Sequence, residues 1–153
     1  MHRITLLCIG TLKFPWAREA AEDCAKRLEH SLKLEIVELS PSKARDPERQ
    51  REEESDRIIA ALEKRRGAVW VLDEQGKEMT SVAFSKELQT LKDRGEEMTF
   101  VLGGAYGLSD AVRKKGRLLR LSAMTLPHEL CRVVFLEQLY RAVEIERGSG
   151  YHH

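Results

Sequence analysis

The sequence predicts one α/β domain in which a parallel sheet is flanked by helices. Short apolar runs alternate with longer amphipathic runs along the 153 residues, as in chains built from strand–helix–strand units. The run 68–72 is continuously apolar, which is typical of a parallel strand covered on both faces, and 98–102 is expected to be the next buried strand. The length suits a single core, so residues 1–153 are expected to form one domain.

The first half of the chain is expected to supply three strands and two helices. Asp46 is a suitable N-cap because Pro47 follows it at the first helical position, and Gly67 should end the charged helix that begins there. A polar loop over 73–77 should follow the third strand. The predicted strands are 4–9, 34–39 and 68–72, and the predicted helices are 15–30 and 46–66.

The second half is expected to continue the alternation and to end in a strongly amphipathic helix. Thr80 or Ser81 should cap a helix that reaches about Arg94. The later predicted elements are a strand over 98–102, a short helix after Asp110, a strand over 117–121 and a final helix over 129–146.

The segment 121–126 is expected to be irregular and buried. It is apolar enough for burial, lacks a helical period and is followed by Pro127. Buried irregular backbone carries N–H and C=O groups that need partners. An adenine ring could satisfy them, and so could neighbouring loops.

Composition excludes several classes of protein. The 26 basic and 25 acidic residues nearly cancel, so net charge gives no reason to expect nucleic acid. No apolar run approaches the roughly 18 residues of a membrane span, and the N-terminus is interpreted as a first strand rather than a signal peptide. Three irregularly spaced cysteines favour a reduced, cytoplasmic protein without a metal site.

The C-terminal third is the basic part of the chain. Residues 100–153 hold eight basic and five acidic side chains. Five of the basic residues follow one another with no acid among them, which suits either a phosphate backbone or a solvated helix end. They are Arg113, Lys114, Lys115, Arg117 and Arg120.

The glycine cluster after the strand 98–102 is a candidate ligand loop. Gly103, Gly104 and Gly107 let backbone approach a ligand closely, at the strand end where α/β proteins bind ligands. Neither phosphate-binding spacing is present, because Leu108 rather than a lysine follows Gly107. A purely structural turn is the other interpretation.

Two further sets of residues allow a plain and a functional interpretation. Arg132, Glu137 and Arg141 are spaced so that they could share one side of the last helix, as a salt-bridged surface. Tyr151 and His152 belong to a tail that would ordinarily be frayed. Tyrosine and histidine nonetheless suit base stacking and proton transfer near neutral pH.

Several of these segments together resemble the ribosomal large-subunit methyltransferase H family. The matching residues are 100–108, 121–133, 137–142 and Tyr151-His152. The resemblance implies a SPOUT α/β knot, in which residues from about 98 to 153 thread a deep trefoil, an arrangement otherwise nearly absent from proteins. It also implies a homodimer that uses S-adenosyl-L-methionine to methylate N3 of pseudouridine 1915 in 23S ribosomal RNA on the assembled ribosome.

The resemblance assigns roles to individual residues. Cofactor contacts fall on Leu72, Gly103, Leu121, Ser122, Ala123, Met124, Thr125 and Leu126, and catalytic roles fall on His152, Tyr151, Arg141, Glu137 and Arg132. His152 would remove the imide proton, Tyr151 would hold the base, and the arginines would stabilise negative charge. Glycine at 103 would be required because a β-carbon would occupy ligand space. Gly150 and Ala105 depart from the family, which usually has proline at the first position and often has it at the second.

Three alternatives stay open. A knotted methyltransferase could act on another substrate, such as transfer RNA or a protein side chain. A non-catalytic, ribosome-associated RNA-binding protein would keep the fold without binding the methyl donor. A plain nucleotide-binding domain is the third, although neither phosphate-loop pattern is present.

Overall fold

The chain folds into a five-stranded parallel sheet with helices on both faces, as predicted. A computed structural model describes residues 1–153. The strands lie in the order β2-β1-β4-β3-β5. The elements are β1 His2–Ile9, α1 Pro15–Leu28, β2 Leu32–Leu39, α2 Pro47–Leu62, β3 Ala68–Lys77, α3 Ser81–Asp93, β4 Met98–Leu102, α4 Asp110–Arg113, β5 Arg117–Leu119 and α5 His128–Arg147.

The buried strand β4 lies at the centre of the sheet. All five of its residues are buried, including the polar Thr99, as expected for a parallel strand covered on both faces. On one face, Phe100 packs against Phe135 of α5, with ring centroids 4.7 Å apart, and this side also holds α1 and α3. On the other face, Val101 packs with Ile58 of α2 and Val112 of α4.

The predicted helix starts are confirmed by their hydrogen bonds. The Asp46 carboxylate accepts from Arg49 N at 2.9 Å, and Thr80 Oγ1 accepts from Ala83 N at 3.0 Å. Each cap satisfies a backbone donor that the first turn of a helix leaves without a partner. No helix of the chain is both long enough and apolar enough to cross a membrane.

Several element boundaries differ from the prediction. β1 begins at His2 rather than at residue 4, and β2 begins at Leu32 rather than at 34. α1 ends at Leu28 rather than at residue 30, and α2 ends at Leu62 rather than at 66. β3 continues through the expected polar loop to Lys77, with an irregular register after Leu72 where it pairs with β5. β5 ends at Leu119 rather than at residue 121, although Arg120 N still donates to Lys77 O.

The last helix is less simply amphipathic than its sequence indicates. Besides its apolar residues, α5 buries three charged side chains, Glu129, Arg132 and Glu144. Buried charges require hydrogen-bonding partners. The partners of Glu129 lie in the loop after β1, and those of Arg132 lie at the carboxyl ends of β1 and β2.

Candidate active site

A cavity of about 600 Å³ lies at the carboxyl end of the sheet, within the size range of small-molecule sites. The ends of β3, β4 and β5 and the first turn of α5 surround it. All eight residues predicted to contact a cofactor line it. They are Leu72, Gly103, Leu121, Ser122, Ala123, Met124, Thr125 and Leu126. A second cavity, of about 320 Å³, lies at the amino end of the strands, near His2 and His30.

The glycine loop, residues 103–107, forms one wall of the cavity. Gly107 adopts a positive φ of 78° and its N–H donates to Gly104 O at 3.1 Å, which closes a tight turn. The N–H groups of Gly103, Ala105 and Tyr106 have no acceptor within the chain. The loop therefore offers free donors to whatever enters the cavity.

Packing within the loop favours glycine at 103. A β-carbon there would lie 2.8 Å from Leu108 Cγ and 3.1 Å from the Gly107 carbonyl carbon. Leu108 is itself buried, so it has little room to move. Packing within the loop by itself excludes a β-carbon at 103, and the expected role of the glycine in leaving space for a ligand stays a prediction.

The segment 121–126 forms the opposite wall. It is irregular, as predicted, but Ala123, Met124 and Thr125 are exposed, so the expectation that the whole segment lies inside the protein was wrong. It borders an open cavity instead of a packed core. Within it, only Met124 donates a backbone hydrogen bond inside the chain, to Ser122 Oγ at 2.9 Å. Most of its main-chain donors are available to a ligand.

Acidic residues from elsewhere neutralise much of the basic run near the cavity. Arg113 pairs with Asp73 at 3.0 Å and with Asp110 at 2.9 Å. Arg120 pairs with Glu78 at 2.8 Å. Arg117 pairs with Glu87, whereas Lys114 and Lys115 are exposed and make none of the ion pairs. The run is therefore not a free row of cations for a phosphate backbone.

Four of the five predicted catalytic residues meet in one group, the tail cluster of Glu137, Arg141, Tyr151 and His152. Tyr151 Oη donates to Glu137 Oε1 at 3.1 Å, and Arg141 Nη2 donates to the same oxygen at 2.7 Å. Arg141 Nη1 donates to His152 Nδ1 at 3.1 Å. The guanidinium also lies 4.8 Å from the centre of the Tyr151 ring. These contacts order a tail that would by default be frayed.

The electrostatics of the tail cluster keep Tyr151 protonated. Desolvation, then the hydrogen bond to the Glu137 carboxylate, raises the pKa of Tyr151. The hydrogen bond to Glu137 is the main cause of the raised pKa of Arg141. At neutral pH the cluster thus presents a phenol donor and a permanent cation.

The tail cluster is separated from the cavity of its own chain. None of its four side chains lines that cavity. Tyr151, which follows α5 in the chain, packs instead against Tyr140 of α5, with ring centroids 5.0 Å apart. One chain therefore holds the two predicted halves of the site apart.

Arg132 lies inside the protein, away from the tail cluster. Its guanidinium donates to Glu38 Oε2 at 2.6 Å and to Gly10 O at 2.8 Å. The expectation that it shares a helix side with Glu137 and Arg141 was wrong, because five residues turn a helix by about 140° beyond a full turn. Arg132 ties α5 to the carboxyl ends of β1 and β2.

Sequence reasoning missed two buried glutamates near the site. Glu129 Oε1 accepts from Lys13 N at 2.8 Å and from Phe14 N at 3.1 Å, which holds the loop after β1 against α5. Glu54 of α2 is also buried. Its position four residues before the core residue Ile58 was a usable signal, because that spacing places both on one helix face.

No group of three or more histidine, cysteine, aspartate or glutamate side chains is arranged to hold a metal ion. The three cysteines are free. Burial raises the pKa of the Cys8 thiol to about 12, so it is an unreactive core residue.

Comparison with known proteins assigns the chain to a family. A family model described as predicted SPOUT methyltransferase matches residues 2–152, and the chain belongs to that family of methyltransferases. Two curated relatives are both named ribosomal RNA large subunit methyltransferase H. The protein from Maridesulfovibrio salexigens is 43% identical over 100% of this chain and 99% of its own length. That from Chromobacterium violaceum is 41% identical over 98% of each. The resemblance to the methyltransferase H proteins is therefore confirmed.

Solved structures agree on the fold. A methylase family protein from Neisseria gonorrhoeae gives a TM-score of 0.54 at 17% identity, covering 91% of this chain and 82% of its own. TrmJ from Z. mobilis gives 0.51 at 13% identity, covering 93% and 70%. At such identities the likeness concerns architecture alone.

Proposed function

We propose that this protein is a ribosomal RNA methyltransferase that transfers a methyl group from S-adenosyl-L-methionine to N3 of a pseudouridine in 23S RNA. It acts in the cytoplasm on the assembled ribosome, as a homodimer whose C-terminal residues are knotted. Membership of the methyltransferase H family supports the reaction class. The observation that carries the proposal is the cavity at the sheet edge, whose irregular walls leave main-chain donors free.

The cavity walls fit this cofactor chemically. An adenine ring carries acceptors and a donor on its edge, and backbone N–H and C=O groups of the segment 121–126 can pair with them. Apolar contacts would come from Leu72, Leu121 and Leu126, and the glycine loop would face the polar part of the molecule. When bound, S-adenosyl-L-methionine supplies an electrophilic methyl on a sulfonium.

The tail cluster would handle the proton and orient the target base. N3 of pseudouridine must lose its imide proton to become a nucleophile, which calls for a base and for stabilisation of the resulting anion. His152 is the proposed base. Because arginine can only donate, its bond to His152 Nδ1 leaves the proton of the neutral ring on Nε2. Release of that bond as the RNA enters would free Nδ1 to take the imide proton.

Tyr151 and Arg141 would then act on the base itself. Tyr151 remains a phenol at neutral pH and can stack on the uracil ring or donate to it. Arg141 would stabilise the negative charge on the uracil oxygens, with Glu137 holding its guanidinium. Arg132 enters the proposal as a positioning residue, because its guanidinium is already bonded to Glu38 and Gly10.

A homodimer would bring the two halves of the site together. The tail cluster lies apart from the cavity of its own chain, so chemistry between them requires a second copy in which one tail meets the partner's cavity. This arrangement is isologous, as in most symmetric dimers, and gives two equivalent sites.

Mass mapping of 23S RNA tests the substrate, the reaction and the position together. Ribosomes from a strain lacking this chain should gain one methyl on a large-subunit pseudouridine when wild-type protein and S-adenosyl-L-methionine are added. The His152→Ala protein should give little product, and the His153→Ala protein should match the wild type because His153 is exposed. Methylation of free transfer RNA instead would indicate a different substrate. Absence of S-adenosyl-L-methionine binding in a calorimetric titration would favour a non-catalytic RNA-binding protein.

A further inference from the structure

Glu54 is a fully buried carboxylate with only one of its oxygens in use. The residue is 1% exposed. Its Oε2 accepts from Ser42 N at 3.0 Å, whereas Oε1 has no hydrogen-bond partner. Glu54 also takes part in none of the ion pairs of the chain, so its charge is not neutralised by a neighbouring cation. A buried polar atom without a partner is costly and calls for an explanation.

The unpartnered oxygen lies directly behind the glycine loop. A β-carbon built on Gly104 would be 2.6 Å from Glu54 Oε1, so the carboxylate touches the bare backbone of that residue. The next residue of α2 holds the end of the same loop, since Ser55 Oγ accepts from Ser109 N at 3.0 Å. Helix α2 therefore supports the loop. Glu54 does not itself line the cavity, and it places a negative charge against the loop.

Other charges around the cavity are paired in part, and the two lining residues without an ion pair, Arg51 and Glu74, have opposite signs. Asp73 is neutralised by Arg113, and Arg120 by Glu78. Glu54 is the buried charge of this region that keeps no counterion. Because it is shielded from water, its field is screened less than that of a surface carboxylate.

We infer that Glu54 is an electrostatic selectivity residue, which makes the cavity prefer a cationic ligand over an uncharged analogue of the same shape. The inference rests on the proposed function. S-adenosyl-L-methionine carries a sulfonium, and S-adenosyl-L-homocysteine, the product left after methyl transfer, lacks that positive charge. A carboxylate behind the glycine loop would favour binding of the first and release of the second.

A purely structural role makes a different prediction. If Glu54 only holds the loop of Ser42, one neutral oxygen suffices, and Glu54→Gln should bind both compounds as the wild type does. If its charge acts on the ligand, Glu54→Gln should weaken binding of S-adenosyl-L-methionine by about tenfold and leave the affinity for S-adenosyl-L-homocysteine within about twofold. The unliganded variant should unfold at the same or a higher temperature, because an uncompensated buried charge has been removed.

Isothermal titration of the full chain with both compounds measures this ratio directly. Glu52→Gln is the matched control, since it makes the same change of charge on an exposed position of α2, and it should keep the wild-type ratio. Glu54→Asp retains the charge and should keep the preference even if both affinities fall.

The possible results of these titrations separate a failure of this inference from a failure of the proposed function. An unchanged ratio in Glu54→Gln, equal weakening of both compounds, or a lost preference in Glu54→Asp would overturn the inference while leaving the methyltransferase intact. A wild-type chain that binds neither compound would overturn the proposed function, and this inference with it. If Glu54→Gln does not fold, Glu54→Asp keeps the inference open to refutation, because loss of the preference in that variant would overturn it.

Discussion

Replacing Arg132 by methionine should lower the stability of the fold substantially. The substitution keeps an unbranched side chain but removes the donors to Glu38 Oε2 and Gly10 O. The Arg132 side chain is 5% exposed and that of Glu38 is 37% exposed, so Gly10 O loses a buried donor whereas Glu38 regains water. Hydrogen bonds to charged groups contribute about 1.5–3 kcal/mol each. Discounted for the exposed partner, the expected loss is about 2–3 kcal/mol.

Thermal unfolding followed by circular dichroism measures this loss. In a chain of this length about 1 kcal/mol shifts the Tm by roughly 2–4 °C, so Arg132→Met should unfold roughly 5–10 °C below the wild type. Arg49→Met is the matched control. Its ion pair with Glu53 is 74% exposed on the arginine side, and such pairs contribute only about 0–1 kcal/mol. Equal Tm values for the two variants would refute the positioning role of Arg132.

Three further predictions concern catalysis, titration and packing. His152→Ala should slow methyl transfer to ribosomes by about 10²-fold or more, and a wild-type rate across pH would contradict its role as the base. The pKa of Cys8 is raised from 9.0 to about 12, so the folded state resists ionisation and should lose stability as pH rises from 9.0 towards 12; in urea unfolding, Cys8→Ala should lack this part of the pH dependence. Gly116→Ala would place a β-carbon 2.3 Å from Val69 O and should lower the free energy of unfolding by about 2–3 kcal/mol; an unchanged urea midpoint would show that β5 can shift without loss.

Local patterns predicted most of the fold because each element leaves a short-range signal. The largely apolar run of β4 was predicted to be a buried strand, and it lies at the centre of the sheet. The cap formed by Asp46 follows from the chemistry of helix ends. The extension of β3 to Lys77 was missed, because its polar residues are supported by pairing with β5 and not by their own propensity.

The candidate site, like the fold, was predicted only in part. The glycine loop and the segment 121–126 stood out in the sequence as irregular backbone following strands, and the resemblance to a known family assigned them a ligand. That the same cavity is supported from behind by Glu54 was not predicted. The spacing of Glu54 from Ile58 indicated its helix face, but only the packing of α2 shows that its carboxylate lies against the glycine loop.

The sequence by itself determined the succession of strands and helices along the chain and the starts of the helices, since these depend on neighbours a few residues apart. Its motifs also identified the family. Only the tertiary structure shows which charged residues are buried and bonded to distant parts of the chain. The contacts of Glu129 with Lys13 and of Arg132 with Gly10 join residues more than a hundred positions apart. Such contacts arise because the parallel sheet gathers the carboxyl ends of its strands at one edge, and no local pattern in the chain records which side chains will meet there.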